Sequence, residues 1–334
     1  MPGTPPSRTT ARLDPARPDD IREAARLLGA GGLVALPTET VYGLAADARN
    51  PEAVRGIFAA KGRPANHPLI VHLTAPAQLA DWAREVPDRA WRLAEAFWPG
   101  PLTLLLHKAP HVSGVVTGGL DTIGLRMPAH PVMRAVLAAF GGAVAAPSAN
   151  PYQRLSPTTA AQVLAGLDGR IDAVVDGGAC PVGLESTIVD LTGAVPRIVR
   201  AGPVTRAALE AALGEPVEFP ERHDVAVSGN QAVHYRPHTP LFTADAATLR
   251  ARLAALAPDA RIALVHLSPD LPRPAGVLHA ERMPADKAGY ARVLYGTLHA
   301  LDALGAAEIW LETPPAGEDW RDVHDRLARA SRPL

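Results

Sequence analysis

The sequence predicts an α/β fold in two domains, and three observations carry that expectation. The chain has 334 residues, enough for about two domains at ~100–200 residues each. From Asp19 to about residue 213, helical and strand periods of apolar residues alternate. The alternation stops over GEPVEFPERHDVAVSGNQAVHYRPHTP, about 214–240, and then resumes, as expected of an interdomain connection.

The opening MPGTPPSRTTARLDPARPDD has no apolar secretory core and reads as a disordered leader over 1–16. Asp19 or Asp20 can cap a helix with Ile21, Ala24, Ala25, Leu27 and Leu28 at helical spacing, ended by Gly31-Gly32. Leu33–Leu36 reads as a buried strand, and Asn50-Pro51 opens a helix running to about Ala60. Further strands are expected at Leu69–Leu73, Leu102–Leu106, Thr122–Met127, Ala143–Ala146, Ala173–Val175, Thr187–Leu191 and Arg197–Val199, with helices around 88–97, 131–140, 157–166 and 203–213. With no room for a helix between 187 and 199, the sheet should be mixed rather than wholly parallel. Past Pro240 the pattern gives strands at 241–242, 262–266 and 308–311 and helices near 245–257, 286–304 and 319–330, a small doubly wound domain. The expected organisation is therefore a domain over 17–213, a linker over 214–240 and a second domain over 241–334.

A formal charge of -1, from 33 basic and 34 acidic residues, removes any global electrostatic case for a nucleic-acid or membrane binder. Nowhere is there an uncharged apolar run of about 18 residues, so no membrane span is expected. One cysteine, Cys180, rules out an intramolecular disulfide and a cysteine-cage zinc site. A reducing, cytoplasmic location follows as an expectation. Only Lys61, Lys108 and Lys287 are lysines, so a lysine within a polar cluster stands out against the arginine background.

The densest polar signal is PTETVYGL, residues 37–44, directly after an apolar strand, where α/β folds bind ligands and where a threonine-capped turn would also be at home. KGRPANHPLIVH, residues 61–72, sets Lys61 and Arg63 around a glycine, a natural anion clamp: a point charge beside a planar fork. His67 and His72 lack a third ligand at zinc spacing. Arg126 lies inside an apolar strand and needs either a buried carboxylate or a ligand anion. PSAN, residues 147–150, ends another apolar strand with small side chains. P-loop, G-x-G-x-x-G and G-x-S-x-G motifs are all missing. Cys180, between Ala179 and Pro181, reads as a buried structural thiol.

Taken in order, PTETVYGL, KGRP with PLIVH, LRMP, PSAN, EST and RAG resemble the YrdC-like family of L-threonylcarbamoyladenylate synthases, and HYRPHTP leading into a second domain resembles its long, two-domain branch. The resemblance implies a twisted mixed sheet with flanking helices plus a smaller Rossmann-like domain. It also implies the joining of L-threonine, bicarbonate and ATP into threonylcarbamoyl-AMP and pyrophosphate, with Mg2+ carried by the ATP and no protein side-chain metal site. The product would pass to downstream proteins that transfer the threonylcarbamoyl group to tRNA, tRNA itself being a possible partner. The positions matching the family's threonine site are Thr40, His72, Arg126, Ala146 and Ser186. Those matching its ATP site are Lys61, Arg63, His67, Thr122, Ser148, Asn150, Ser156, Arg200 and Tyr235, with Lys61 and Arg63 cast as catalytic. The 214–240 linker, carrying Tyr235, would be a lid over water-labile intermediates. Two departures stand out: Arg236 where the family has a small residue, and SGNQAV in place of a glycine-rich stretch. The related hydrogenase-maturation carbamoyltransferases would need cysteine-rich zinc motifs, which one cysteine excludes. A double-stranded RNA or tRNA-binding module using the same basic cavity is the non-enzymatic alternative.

Overall fold

A computed structural model describes residues 9–229 and 233–334. The chain divides into two compact units. The first holds the described residues through Tyr152, Pro157–Pro181, and Glu185 through Gly229; the second holds Gln153–Ser156, Val182–Leu184 and the residues from Val233 onward. The 214–240 stretch is thus divided between the units, and two short pieces of the expected first domain belong with the second.

Among the described residues, ten strands form the first unit's sheet: β1 (Ala11–Leu13), β2 (Val34–Leu36), β3 (Gly43–Asp47), β4 (Ile70–His72), β5 (Leu102–His107), β6 (Thr122–Arg126), β7 (Val144–Ala145), β8 (Ala173–Val175), β9 (Thr187–Asp190) and β10 (Arg197–Arg200). Their order is β1-β8-β2-β3-β7-β4-β6-β5-β9-β10. Pairs β1/β8, β2/β8, β4/β6 and β5/β9 are parallel and the others antiparallel, so the sheet is mixed, and β9/β10 is the helix-free antiparallel step the sequence required. The expected leader needs correction over its described part. Ala11–Leu13 is an edge strand in register with Ala173–Val175, and buried Thr10 donates to the Ile171 carbonyl at 3.2 Å. Three residues at a sheet edge bury only Leu13 in full, too short a period-2 signal to stand out from a proline-rich sequence.

Alternation along the central strands separates two faces. Val71, Leu104, Leu106, Ile123, Leu125, Val189 and Ile198 join one core with Val54, Ile57, Phe58, Leu93 and Leu209 from the helices. The opposite face is covered near β1, β2 and β7 by helices Pro18–Gly29 and Pro131–Phe140, where Ala24, Leu28, Met133, Val136 and Leu137 pack on Val34, Leu36 and Val144. Each buried Val, Leu or Met side chain among these stabilises the fold by about 1.5–3 kcal/mol. Further along that face, Ile70, Leu105, Ile188 and Val199 are met by Val225 and Val227 of the linker. Between these covers the same face carries His72, Gly124, Arg126 and Ser186.

The second unit is a parallel sheet of β11 (Leu241–Ala244), β12 (Ile262–His266), β13 (Val277–Arg282), β14 (Glu308–Glu312) and β15 (Arg332–Pro333), ordered β13-β12-β14-β11-β15. Helices Ala246–Ala254, Lys287–Asp302 and Arg321–Ala330 flank it, the first two capped by Asp245 and Asp286. No helix among the described residues is long and apolar enough to cross a membrane.

Candidate active site

Helix Pro51–Lys61 delivers the first cation. Asn50 accepts from the amides of Glu52 and Ala53, Pro51 occupies the first turn, and Gly62 ends the helix in the left-handed region at φ 64°, a conformation that favours glycine. Lys61 is therefore the last helical residue, only 3% exposed. Its Nζ donates to the carbonyls of Ser148 and Asn150, both at 2.5 Å, while the Lys61 carbonyl accepts from the Tyr152 amide at 2.8 Å. One lysine thus holds the PSAN turn by both its side chain and its backbone. Burial, and next the Arg63 charge, push the Lys61 ammonium well below its usual value. Arg63, also buried, donates to the Pro68 carbonyl at 3.0 Å. His67 lies against Tyr152, with ring centroids 5.7 Å apart.

Strand pairing builds the second cluster. His72 and Arg126 are register partners on adjacent β4 and β6. Arg126 Nη2 donates to Glu39 Oε1 at 2.6 Å, Nη1 to Thr40 Oγ1 at 3.0 Å and Nε to the Gly100 carbonyl at 3.2 Å. The partner required of Arg126 is thus present in the chain: Glu39, whose second oxygen accepts from the Ala129 amide at 3.0 Å. Burial alone would raise the Glu39 carboxyl, but the Arg126 charge and hydrogen bond outweigh it and the value is lowered. The PTETVYGL motif alone gives Glu39 no role; the signal that finds it is that a charge inside a strand demands a nearby buried opposite charge. Two of the five guanidinium N–H groups are left over after these bonds. Beside them His72 is neutral, pushed down to about 3 by burial and then by the Arg126 charge, and its buried Nδ1 has no hydrogen-bond partner among the described residues.

Thr38 makes the expected threonine turn, accepting from the Thr40 and Val41 amides, which turns Thr40 toward Arg126. Ser186, directly before β9, shares a 2.7 Å hydroxyl contact with Thr103 and accepts from Arg200 Nη2 at 2.9 Å. Arg200 also donates to the Ser186 carbonyl and, through Nη1, to the Ser228 carbonyl of the linker at 2.8 Å. Gly202 explains the RAG motif: a Cβ there would sit 2.3 Å from the Thr187 nitrogen. Ala146 donates its amide to the Ile70 carbonyl at 3.0 Å, and Thr122 opens β6 opposite His107. Cys180 is buried, its thiol pushed up to about 12 by burial and then by Glu39, which leaves it inert.

Thr40, Lys61, Arg63, His67, His72, Thr122, Arg126, Ala146, Ser148, Asn150, Ser186 and Arg200 all fall in the first unit. Ser156 and Tyr235 fall in the second. Ser156 is fully buried, its carbonyl 3.2 Å from His299 Nε2. Tyr235 is 1% exposed, stacked on Tyr295 at 5.8 Å between ring centroids, with the Arg326 guanidinium 5.5 Å from its ring. Of the diverged SGNQAV stretch, residues 230–232 lie outside the described residues.

On one face the mixed sheet presents buried guanidinium groups, a neutral histidine with an open nitrogen and a hydroxyl pair, the chemistry of the class of sites that can hold small anionic ligands. Residues 26–202 match the Sua5/YciO/YrdC family model, described as telomere recombination, and residues 204–332 match the model described as threonylcarbamoyl-AMP synthase, C-terminal domain. The chain belongs to the Sua5/YciO/YrdC family. It is similar to the threonylcarbamoyl-AMP synthase of Pyrococcus abyssi, 43% identical over 230 residues that cover 67% of this chain and 68% of that one. Likewise the Bacillus subtilis threonylcarbamoyl-AMP synthase is 43% identical over 227 residues, covering 66% of this chain and 65% of its own length. The crystal structure of P. abyssi Sua5 complexed with L-threonine superposes with a TM-score of 0.87 at 33% identity, covering 97% of this chain and 99% of that one.

Proposed function

We propose that this protein is an L-threonylcarbamoyladenylate synthase, a nucleotidyltransferase that joins L-threonine, bicarbonate and ATP into threonylcarbamoyl-AMP, pyrophosphate and water, the first step of a tRNA modification. The observation that carries the reading is the pair on β4 and β6: the guanidinium of Arg126 with two N–H groups to spare, beside the open Nδ1 of neutral His72. A carboxylate takes the fork in bidentate fashion, and the imidazole takes up a donor such as the threonine hydroxyl. Thr40, Ala146 and Ser186 complete this subsite.

The threonine amine takes up bicarbonate to give a carbamate, whose oxygen attacks the α-phosphorus as pyrophosphate leaves. Such a step needs positioning and charge neutralisation rather than a covalent nucleophile. Of the residues in the first unit, Arg63, His67, Thr122, Ser148, Asn150 and Arg200 are assigned to ATP. Lys61 shapes the Ser148–Asn150 turn and has a third proton for a phosphate oxygen when charged; an arriving triphosphate offsets the burial that lowers its pKa. Among the described residues no three His, Cys, Asp or Glu side chains stand together for a metal. Mg2+ in this reading travels with the nucleotide's phosphates, and no step is routed through it. The linker through Gly229, anchored by Val225 and Val227 on the sheet and by the Arg200–Ser228 bond, is assigned as the lid that keeps water from the carbamate and the mixed anhydride. The adenylate is too labile to accumulate and passes to a tRNA-modifying transferase in the cytoplasm.

The test is pyrophosphate release by the purified protein with ATP, Mg2+ and bicarbonate. Release should require L-threonine, and a threonine-independent rate would sink the assignment.

A further inference from the structure

The second unit contains a cavity of about 280 Å3 lined by Arg154, Arg236, His238, Phe242 and Arg332 among others. That volume sits near the lower end of small-ligand sites, about 300–1,000 Å3. Among the described residues no carboxylate lines it. Arg154 and Arg236 are fixed beside each other because their backbones pair in a parallel bridge, with the Arg236 amide donating to the Gln153 carbonyl at 2.9 Å. A guanidinium N–H of Arg154 points to the Pro237 carbonyl at 3.4 Å. Arg332 comes from β15, the edge strand next to β11. Asp302 lies close by in the chain's path, but its two oxygens accept the amides of His238 and Thr239 at 2.8 and 2.7 Å. It pins the loop that carries the pocket. Among the described residues, neither Arg236 nor Arg332 has an ion-pair partner.

Arg236 and Arg332 thus bring two guanidinium charges to one concavity, and a bound anion would offset their mutual repulsion. Arginine forks match phosphate oxygens in bidentate fashion. We propose that this cavity is a second anion site, distinct from the Arg126 and Lys61 clusters, and that it takes a small phosphate-bearing ligand: inorganic pyrophosphate or phosphate, or the phosphate of a mononucleotide. The concave shape and limited volume favour a small ligand over a nucleic-acid backbone, which needs an extended exposed track.

Calorimetric titration of the full-length protein with pyrophosphate should reveal two sites. In Arg236→Gln/Arg332→Gln one site should vanish or weaken about tenfold or more per guanidinium removed. The other site, and threonine-dependent pyrophosphate release, should be retained. Arg332→Gln alone, at an exposed position, gives the same direction with a smaller loss and guards against misfolding of the double variant. Parallel titrations with phosphate, AMP and a short duplex RNA separate the sources. Binding of pyrophosphate, phosphate or AMP that the substitutions abolish supports the site and ranks its ligands. An isotherm unchanged in the double variant overturns it, and so does substitution-sensitive binding of RNA alone. Because catalysis is followed separately in the same variants, failure of this site and failure of the catalytic assignment give different results.

Discussion

Arg126 and Glu39 are 4% and 6% exposed, so neither charge can turn to water when its partner is removed. Breaking a buried pair of this kind costs about 3–5 kcal/mol. Arg126→Ala should therefore lower stability by that order in urea unfolding, and in the assay it should abolish threonine binding while ATP affinity is retained. Equal loss of both ligands would refute the division of the site. The neighbouring His72 sets an acid limit. Its imidazole takes up a proton near 6.5 in the unfolded chain but only at about 3 in the folded one, so between those values the unfolded state binds more protons and stability rises with pH. Its contribution is complete above pH 6.5 and is lost progressively as pH falls toward 3. Glu39, lowered from 4.5, adds a loss of the same sign below about pH 4.5. A His72→Asn variant should show a flatter fall of stability between pH 6.5 and 4.5 than the parent, measured by denaturant titrations at each pH; an unchanged slope would mean another group governs it.

At the scale of elements, the turn after β10 is fixed by close approach rather than by conformation. An alanine Cβ at Gly202 would lie 2.3 Å from the Thr187 nitrogen and 2.6 Å from the Ser186 carbonyl carbon, so the backbone carrying Ser186 must move. Gly202→Ala should cost about 1–3 kcal/mol and raise the threonine KM more than it lowers kcat. The linker offers a second test: Val227→Ser removes an apolar anchor from Ile70, Leu105 and Ile188. Limited proteolysis should then cut the 214–229 segment faster while the sheet stays protected; an unchanged cleavage rate would show that Val227 does not hold the segment down. Legibility followed the same physical lines. Strands whose side chains are buried on both faces, such as β5 and β12, declared themselves as apolar runs. The edge strands β13 and β15 did not: β13 has only half-buried and exposed residues and β15 two exposed ones, whereas β10, an edge strand with three of its four residues buried, did. β3 was hidden because Gly43-Leu44-Ala45-Ala46 follows directly on a motif that reads as a loop. In the site, the cations were visible one by one. Their mutual arrangement depends on register, His72 opposite Arg126, and on contacts spanning more than 80 residues, such as Lys61 to Asn150 and Arg126 to Glu39, which local patterns do not encode.

For the molecule as a whole, the distribution of charge decides between the enzyme and the RNA-binding alternative. The net charge is -1, and the cations that would line a basic groove are inside: Lys61, Arg63, Arg126 and Arg200 are 3%, 8%, 4% and 7% exposed. Double-stranded RNA is bound across its minor groove by exposed cations reaching phosphates and 2′-hydroxyls along about 16 base pairs, and each neutralised phosphate steepens the fall of affinity with salt. Buried guanidinium groups held by Glu39, Ser186 and backbone carbonyls cannot supply that footprint, whereas they suit a carboxylate and a triphosphate drawn out of water. Duplex RNA should therefore show no saturable complex at micromolar protein and near-physiological salt, followed by fluorescence anisotropy. ATP and threonine should bind under the same conditions with a shallow salt dependence, because ligand charges neutralised in a buried pocket are poorly screened. A saturable duplex complex whose log affinity falls with log salt at a slope of about -3 or steeper would instead mean that surface arginines act together, and the buried cluster would no longer be the centre of the protein's function.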